Sequence, residues 1–292
     1  MIKSNKPTFS GHDTFPCRTL WLKKGYDFAL HNGSFNNPDA VIVLGVGKNM
    51  VTSIRYWMRA FNILDSNDEL TTFAHLLLSD EGWDPYLEDE ASLWLLHYQL
   101  VKNDYATAYN LIFNELRKTN IEFTREHFVN YVLSKYEGIS AFKNTENTVG
   151  DDFNVVIKMY LNDTSSKEKE ETIGGIMTEL NLINNIPRDK KTFYVIGDGD
   201  RENIPPEVCY YALAENEEYG QSISLQTIAT NHNSIGAIFG INQTGIIKKL
   251  ESLMAKYPNE LVFKDDAGIK EIQFKRGKPE PFSILKNYYD AK

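Results

Sequence analysis

Cysteine is nearly absent. The 292 residues include two, Cys17 and Cys209. That is too few for a disulfide framework or an unaided zinc site, and it is the usage expected of a reducing cytoplasm. Long apolar runs are missing too. Stretches such as Ala40–Leu44 fall far short of the ~20 residues that span a bilayer. Met1 to Gly11 is polar, with no apolar core of a secretory leader. Positive charge is in deficit: 31 Lys and Arg stand against 40 Asp and Glu, a net charge of -9, which taken whole argues against a nucleic-acid ligand. Apolar material is plentiful, at 42% hydrophobic and 12% aromatic residues, which excludes a disordered chain. The length suggests about two domains.

The charge is unevenly spread. Residues 1–60 hold eight Lys and Arg against three Asp and Glu, a balance of +5. Residues 61–104 hold one against ten, a balance of -9. A basic head beside an acidic segment is a field pattern that the total hides, unless it is ordinary surface variation.

The periodicity is mainly helical. Met50, Ile54, Trp57, Met58 and Phe61 share one helical face. They follow a glycine-bearing break, Leu44-Gly-Val-Gly-Lys-Asn49, with Asn49 a candidate N-cap. Pro38 to Leu44 before it reads as a short buried helix or strand, so the pair has the outline of a helix-turn-helix. Helical spacing continues over Leu70–Leu78, Leu87–Val101, Tyr105–Arg117, Thr124–Tyr136 and Asp151–Leu161. Asn144–Gly150 and Asp163–Glu171 read as polar loops. Near the C-terminus, Pro206 opens a helix, Ser224–Ala229 a second, and Ile246 to Met254 marks a third. Leu261–Lys264 and Ile269–Phe274 then flank a Gly-bearing turn, a hairpin pattern. Three helices followed by a hairpin is the order of a winged helix. The expected fold is mainly α with small β-hairpin wings: two helix-turn-helix or winged-helix modules, in residues 1–104 and 204–292, joined by a helical middle region, 105–203.

Several constellations carry chemistry. The first long helix bears Lys48, Asn49, Thr52, Arg55, Tyr56 and Arg59 off its apolar stripe, groups suited to phosphate and major-groove contact, or to a solvated face. Lys248 and Lys249 on the C-terminal helix, with Lys264 and Lys270 on the hairpin, are further DNA-contact candidates. Asp80, Asp84 and Glu88 belong to six carboxylates within eleven residues. Such a cluster could hold Mg²⁺ for phosphodiester cleavage, or simply place acids at a helix start. In Phe9-Ser-Gly-His-Asp-Thr-Phe-Pro16, His12 is a candidate general base, Asp13 its orienting acid and Arg18 a phosphate ligand. Alternatively, His12 pins the N-terminal arm. Gly45-Val-Gly-Lys48 fails as a P-loop, with Ile42 and Asn49 where glycine and Ser or Thr are required. Asp198 fails to start a calcium loop, with Asn203 and Cys209 at the Gly and Glu positions.

Taken together, Phe9–Pro16, Trp21–Asp27, Leu44–Val51, Ser53–Trp57, Trp83–Asp89, Leu93–His97 and Leu261–Phe274 resemble the domain-of-unknown-function 4007 family across essentially the whole chain. In that family Glu usually stands where this chain has Asp13. The family looks like the SspB-type component of DNA phosphorothioation and anti-phage systems. The resemblance implies nicking of DNA for backbone sulfur incorporation. It also implies work beside a cysteine desulfurase, an ATP pyrophosphatase-like sulfurtransferase and an ATPase; a homodimer is a further expectation, and a membrane is not. A non-catalytic DNA-binding adaptor and a winged-helix transcriptional regulator are the alternatives.

Overall fold

A glycine in the left-handed conformation stops a helix cleanly, because the reversed backbone lets its N–H reach back to the helix's last carbonyls without a Cβ clash. Two such glycines organise this protein. The computed structural model describes residues 7–161, 174–189, 191–266 and 268–292, and the chain divides into two units, residues 1–196 and 197–292.

In the first unit α1 (Thr19–Leu30) precedes α2 (Ala40–Leu44), which Gly45 ends at φ 64°. Two residues later α3 (Lys48–Ala60) begins, with Gly47 as its N-cap. Asn49, expected as the cap, lies inside the helix. The expected burial of the preceding element is also corrected. One and a half turns bury Ala40 and Leu44, while Ile42 is 80% and Val43 68% exposed.

Next come α4 (Thr72–Leu78), α5 (Glu90–Lys102), and α6 (Thr107–Leu111), which runs through a π-helical turn, Ile112–Leu116, into α7 (Arg117–Thr119). Every residue of α5 from Ala91 to Val101 is buried, the mark of a helix enclosed on all faces. After β1 (Glu122–Phe123), α8 (Arg125–Lys135) and α9 (Glu146–Tyr160) pack together. Side chains of Thr71, Asp89, Thr124 and Thr145 cap α4, α5, α8 and α9. The cap at Thr145 corrects the loop expected over 144–150, because α9 already runs from Glu146. The other expected loop, Asp163–Glu171, lies outside the described residues. A hairpin unforeseen from the sequence follows, β2 (Ile183–Arg188) and β3 (Lys191–Ile196), in a three-stranded antiparallel sheet of order β1-β3-β2. Pro187 is tolerated because β2 is an edge strand.

The second unit contains α10 (Pro206–Glu215), β4 (Ser222–Ser224), α11 (Leu225–Thr230), α12 (Ile235–Phe239), α13 (Gln243–Lys256), β5 (Leu261–Asp266), β6 (Ile269–Phe274) and α14 (Pro281–Tyr289). The expected hairpin is present, and β4 extends it into an antiparallel sheet of order β4-β6-β5, with Ile272 paired to Ile223 and Phe263. Gly240, at φ 61°, ends α12 as Gly45 ends α2. In both units a five-residue helix, the glycine, two further residues and a long helix follow in the same register. The chain is thus mainly α with small antiparallel sheets, and no described helix is long and apolar enough to cross a membrane.

Candidate nucleic-acid interface and the motifs around it

The N-terminal motif is a tight turn. Ser10, Asp13 and Thr14 all take positive φ, which swings His12 inward until it is 1% exposed. Both of its nitrogens are occupied. Nδ1 accepts the Thr14 N–H at 3.2 Å, and Nε2 faces Asp152 Oδ1 at 3.1 Å. The second oxygen of Asp152 accepts the Ser10 N–H at 2.8 Å. The imidazole stacks on Trp57, with 5.7 Å between centroids and 9° between planes, and meets Tyr56 edge-on. The Trp57 indole in turn donates to Phe15 O at 3.0 Å. Burial raises the Asp152 carboxyl above its usual range, partly offset by the hydrogen bonds from His12 and Ser10.

Asp13, the orienting acid expected from the sequence, is solvent-exposed. Asp152 does that work from α9, 140 residues away. Arg18 lies over the Trp21 ring at 5.6 Å. The three residues therefore do not share a solvent-open centre, and His12 clamps the arm. Asp152 had a sequence signal: it sits with Val149, Phe153, Val156 and Met159 on the buried stripe of α9, where an unpartnered acid is rarely tolerated.

On α3, Lys48, Asn49 and Thr52 are exposed. Arg55 and Arg59 both bind Asp68, and Arg55 also donates to Asn36 at 2.9 Å. Burial works against the Asp68 charge, but the hydrogen bonds and charges of the two guanidinium groups outweigh it and hold its carboxyl below the usual range. Tyr56, expected on this outward face, is buried.

In the acidic segment, Asp84 is buried and accepts three hydrogen bonds, from the N–H of Glu88 and of Asp89 at 2.9 Å each and from Ser92 Oγ at 2.6 Å. Asp80 pairs with Lys23 at 2.7 Å, which lowers its carboxyl; Glu88 is exposed. An ion would have to displace hydrogen bonds that fill about three of the roughly four acceptor sites of Asp84. Asp80, Asp84 and Glu88 therefore do not fit a magnesium site. Among the described residues no three His, Cys, Asp or Glu groups converge to hold a metal.

In the second unit, Lys248 pairs with Asp200 and reaches Glu202 at 3.5 Å. Lys249, a DNA-contact candidate from the sequence, is buried and donates to the carbonyls of Glu202 and Ile204 at 3.0 and 2.6 Å, so it closes the loop before α10. Lys264 is exposed on β5, and Lys270 on β6 lies 3.4 Å from Asp265.

One perturbed carboxyl went unnoticed in the sequence. Asp104, in a left-handed turn at φ 54°, is pushed up to about 6 by burial and by Glu115. Glu115 projects from the π-helical turn and accepts from Tyr131 and, at 2.6 Å, from Lys135. Below pH 4 the group is protonated in folded and unfolded chains alike. Across pH 4–6 the folded state binds more protons, so native stability falls as pH rises through that window. Asp104→Asn removes the penalty and suits the left-handed turn. Its thermal midpoint should exceed wild type at pH 7–8, by about 1–2 kcal/mol in stability, with the gain vanishing near pH 4.

Two helix–glycine–helix elements and two small antiparallel sheets on a helical frame define a class of two-unit, mainly α protein. The chain belongs to the family described as protein of unknown function (DUF4007), whose model matches residues 9–289. It is similar to a crystal structure of SspB with bound magnesium ion, at TM-score 0.85 and 27% identity, over 97% of this chain and 88% of that one. A second SspB crystal structure matches at TM-score 0.84 with the same identity and coverage. Comparison with curated proteins yields no match.

Proposed function

We propose that this chain is the DNA-binding component of an SspB-type phosphorothioation system. The carrying observation is the repeated short helix, left-handed glycine and long helix, followed in the second unit by a three-stranded antiparallel sheet. That is the order of a helix-turn-helix and, with β4, β5 and β6, of a winged helix, in which the long helix enters the major groove. The likeness to SspB supports the system. In this reading the partners are DNA and the cysteine desulfurase, the ATP pyrophosphatase-like sulfurtransferase and the ATPase of the same system.

Strand nicking is the second reading, supported by the family resemblance and by the magnesium ion in the SspB structure. Any nicking centre lies away from the buried His12 and the hydrogen-bonded Asp84. Duplex binding measured by fluorescence anisotropy across a salt series tests the proposal. Lys48→Ala should weaken affinity and flatten the log-affinity against log-salt slope by about 1. Asp68→Ala should do the reverse, steepening the slope as Arg55 and Arg59 lose their carboxylate. Duplex affinity in the wild type that is undetectable at low salt would overturn it. Supercoiled plasmid incubated with Mg²⁺ or EDTA reads nicking separately.

A further inference from the structure

We infer that the second unit reads base edges through uncharged amides and hydroxyls, with α13 as the reading helix and its lysines engaged within the protein. The inference rests on the DNA-binding reading above and assigns α13 its specificity. Residues 219–250 contain no Asp or Glu, in a chain where acids outnumber bases. Exposed positions along this stretch include Gln226, Thr230, Asn231 and His232 on and after α11, and Gln243, Thr244 and Lys248 on α13. Carboxylates repel phosphate, so their absence from α11, α12 and the first two turns of α13 suits an approach to duplex DNA.

The cations on α13 are otherwise engaged. The Lys249 ammonium is spent on two buried carbonyls, and Lys248 is paired with Asp200 and Glu202. Glu251 is exposed about two turns further along α13. Phosphate attraction at α13 is therefore small. Residues near the N-terminus of a reading helix are among those that meet base edges. A glutamine amide matches the N6 donor and N7 acceptor of adenine in the major groove, and a threonine methyl packs on the thymine methyl. The partner is thus duplex DNA with an A·T pair at a fixed place in the site. The equivalent positions on α3, in the register set by the two glycines, are Lys48 and Asn49. The two elements accordingly divide the work, with cationic attraction on α3 and base reading on α13.

The test selects from a pool of duplexes with a randomised centre, using the full chain as wild type, Gln243→Ala/Thr244→Ala and Lys48→Ala. Both Gln243 and Thr244 are exposed, and an unchanged thermal midpoint checks the fold of the double variant. Wild type should enrich a motif with a fixed A·T pair. The double variant should lose preference at that pair, by roughly 5- to 100-fold in discrimination, while its salt slope stays unchanged. Gln243→Lys should raise affinity for unselected duplex and lose the same preference. Enrichment of an identical motif by the double variant would overturn the inference, as would the absence of any motif in a wild type that binds duplex; in both cases the DNA-binding reading stands. A wild type that binds no duplex sinks that reading itself.

Discussion

Asp152→Ala will lower the stability of the first unit by about 2–5 kcal/mol, whatever it does to any activity. The carboxylate takes one hydrogen bond from the Ser10 N–H and one from His12. His12 would be left in a site where it is 1% and Asp152 2% exposed, while the Ser10 N–H belongs to an exposed residue and can turn to water. A buried donor without an acceptor costs about 1–3 kcal/mol, and the cavity left by the carboxylate adds to it. Thermal unfolding should register the loss as a midpoint roughly 5–15 °C lower. Asp152→Asn keeps one acceptor and carries no charge, so its deficit should be much smaller. The pH dependence has a definite sign. Because burial raises the Asp152 carboxyl, the folded chain holds its proton to higher pH than the unfolded chain does. Wild-type stability from this group is full below the ordinary carboxylate range and declines as pH rises out of it. The asparagine variant lacks that decline, and its deficit relative to wild type should shrink with increasing pH. An Asp152→Ala midpoint within 1 °C of wild type would return His12 to the list of chemical groups.

The second large effect is at Asp84. Alanine there removes the acceptor of the Glu88 and Asp89 N–H groups in the turn before α5, which Asp89 itself caps, and strands the buried Ser92 hydroxyl. A lost hydrogen bond costs about 0.5–1.5 kcal/mol and a buried unsatisfied group about 1–3 kcal/mol. The expected cost is about 2–4 kcal/mol, read as a lowered denaturation midpoint. The loss should be the same in Mg²⁺ and in EDTA, because the carboxylate holds the turn before α5. A wild type stabilised by Mg²⁺ beside an Asp84→Ala variant indifferent to it would reinstate the metal reading.

The contrast between these two carboxylates shows what local pattern can deliver. Asp84 lies just before an apolar run, where acids favour a helix start, and that bland reading was available from spacing alone. Asp152 belongs to a clamp closed across 140 residues, and nothing at His12 announces its partner. Tyr56 shows the same limit. It falls at the edge of the polar face of α3, among Thr52, Arg55 and Arg59. The arm covers it: a Cβ on Gly11 would come within 2.5 Å of its ring. The sheet of β1, β2 and β3 was invisible for a different reason, since β2 buries Ile183 alone and shows no alternation to read.

A content of 42% hydrophobic and 12% aromatic residues determined by itself that the chain folds around packed cores. Helical spacing, capping residues and the two turn glycines determined most of its helices and the C-terminal hairpin. Those features act over three or four residues, so they are written in the chain. Only the tertiary structure decided which cations are committed. It gave Lys249 to two carbonyls, Lys248 to Asp200 and the two arginines to Asp68. Long side chains choose among partners that folding brings within 3–4 Å, and separation along the sequence does not encode that distance.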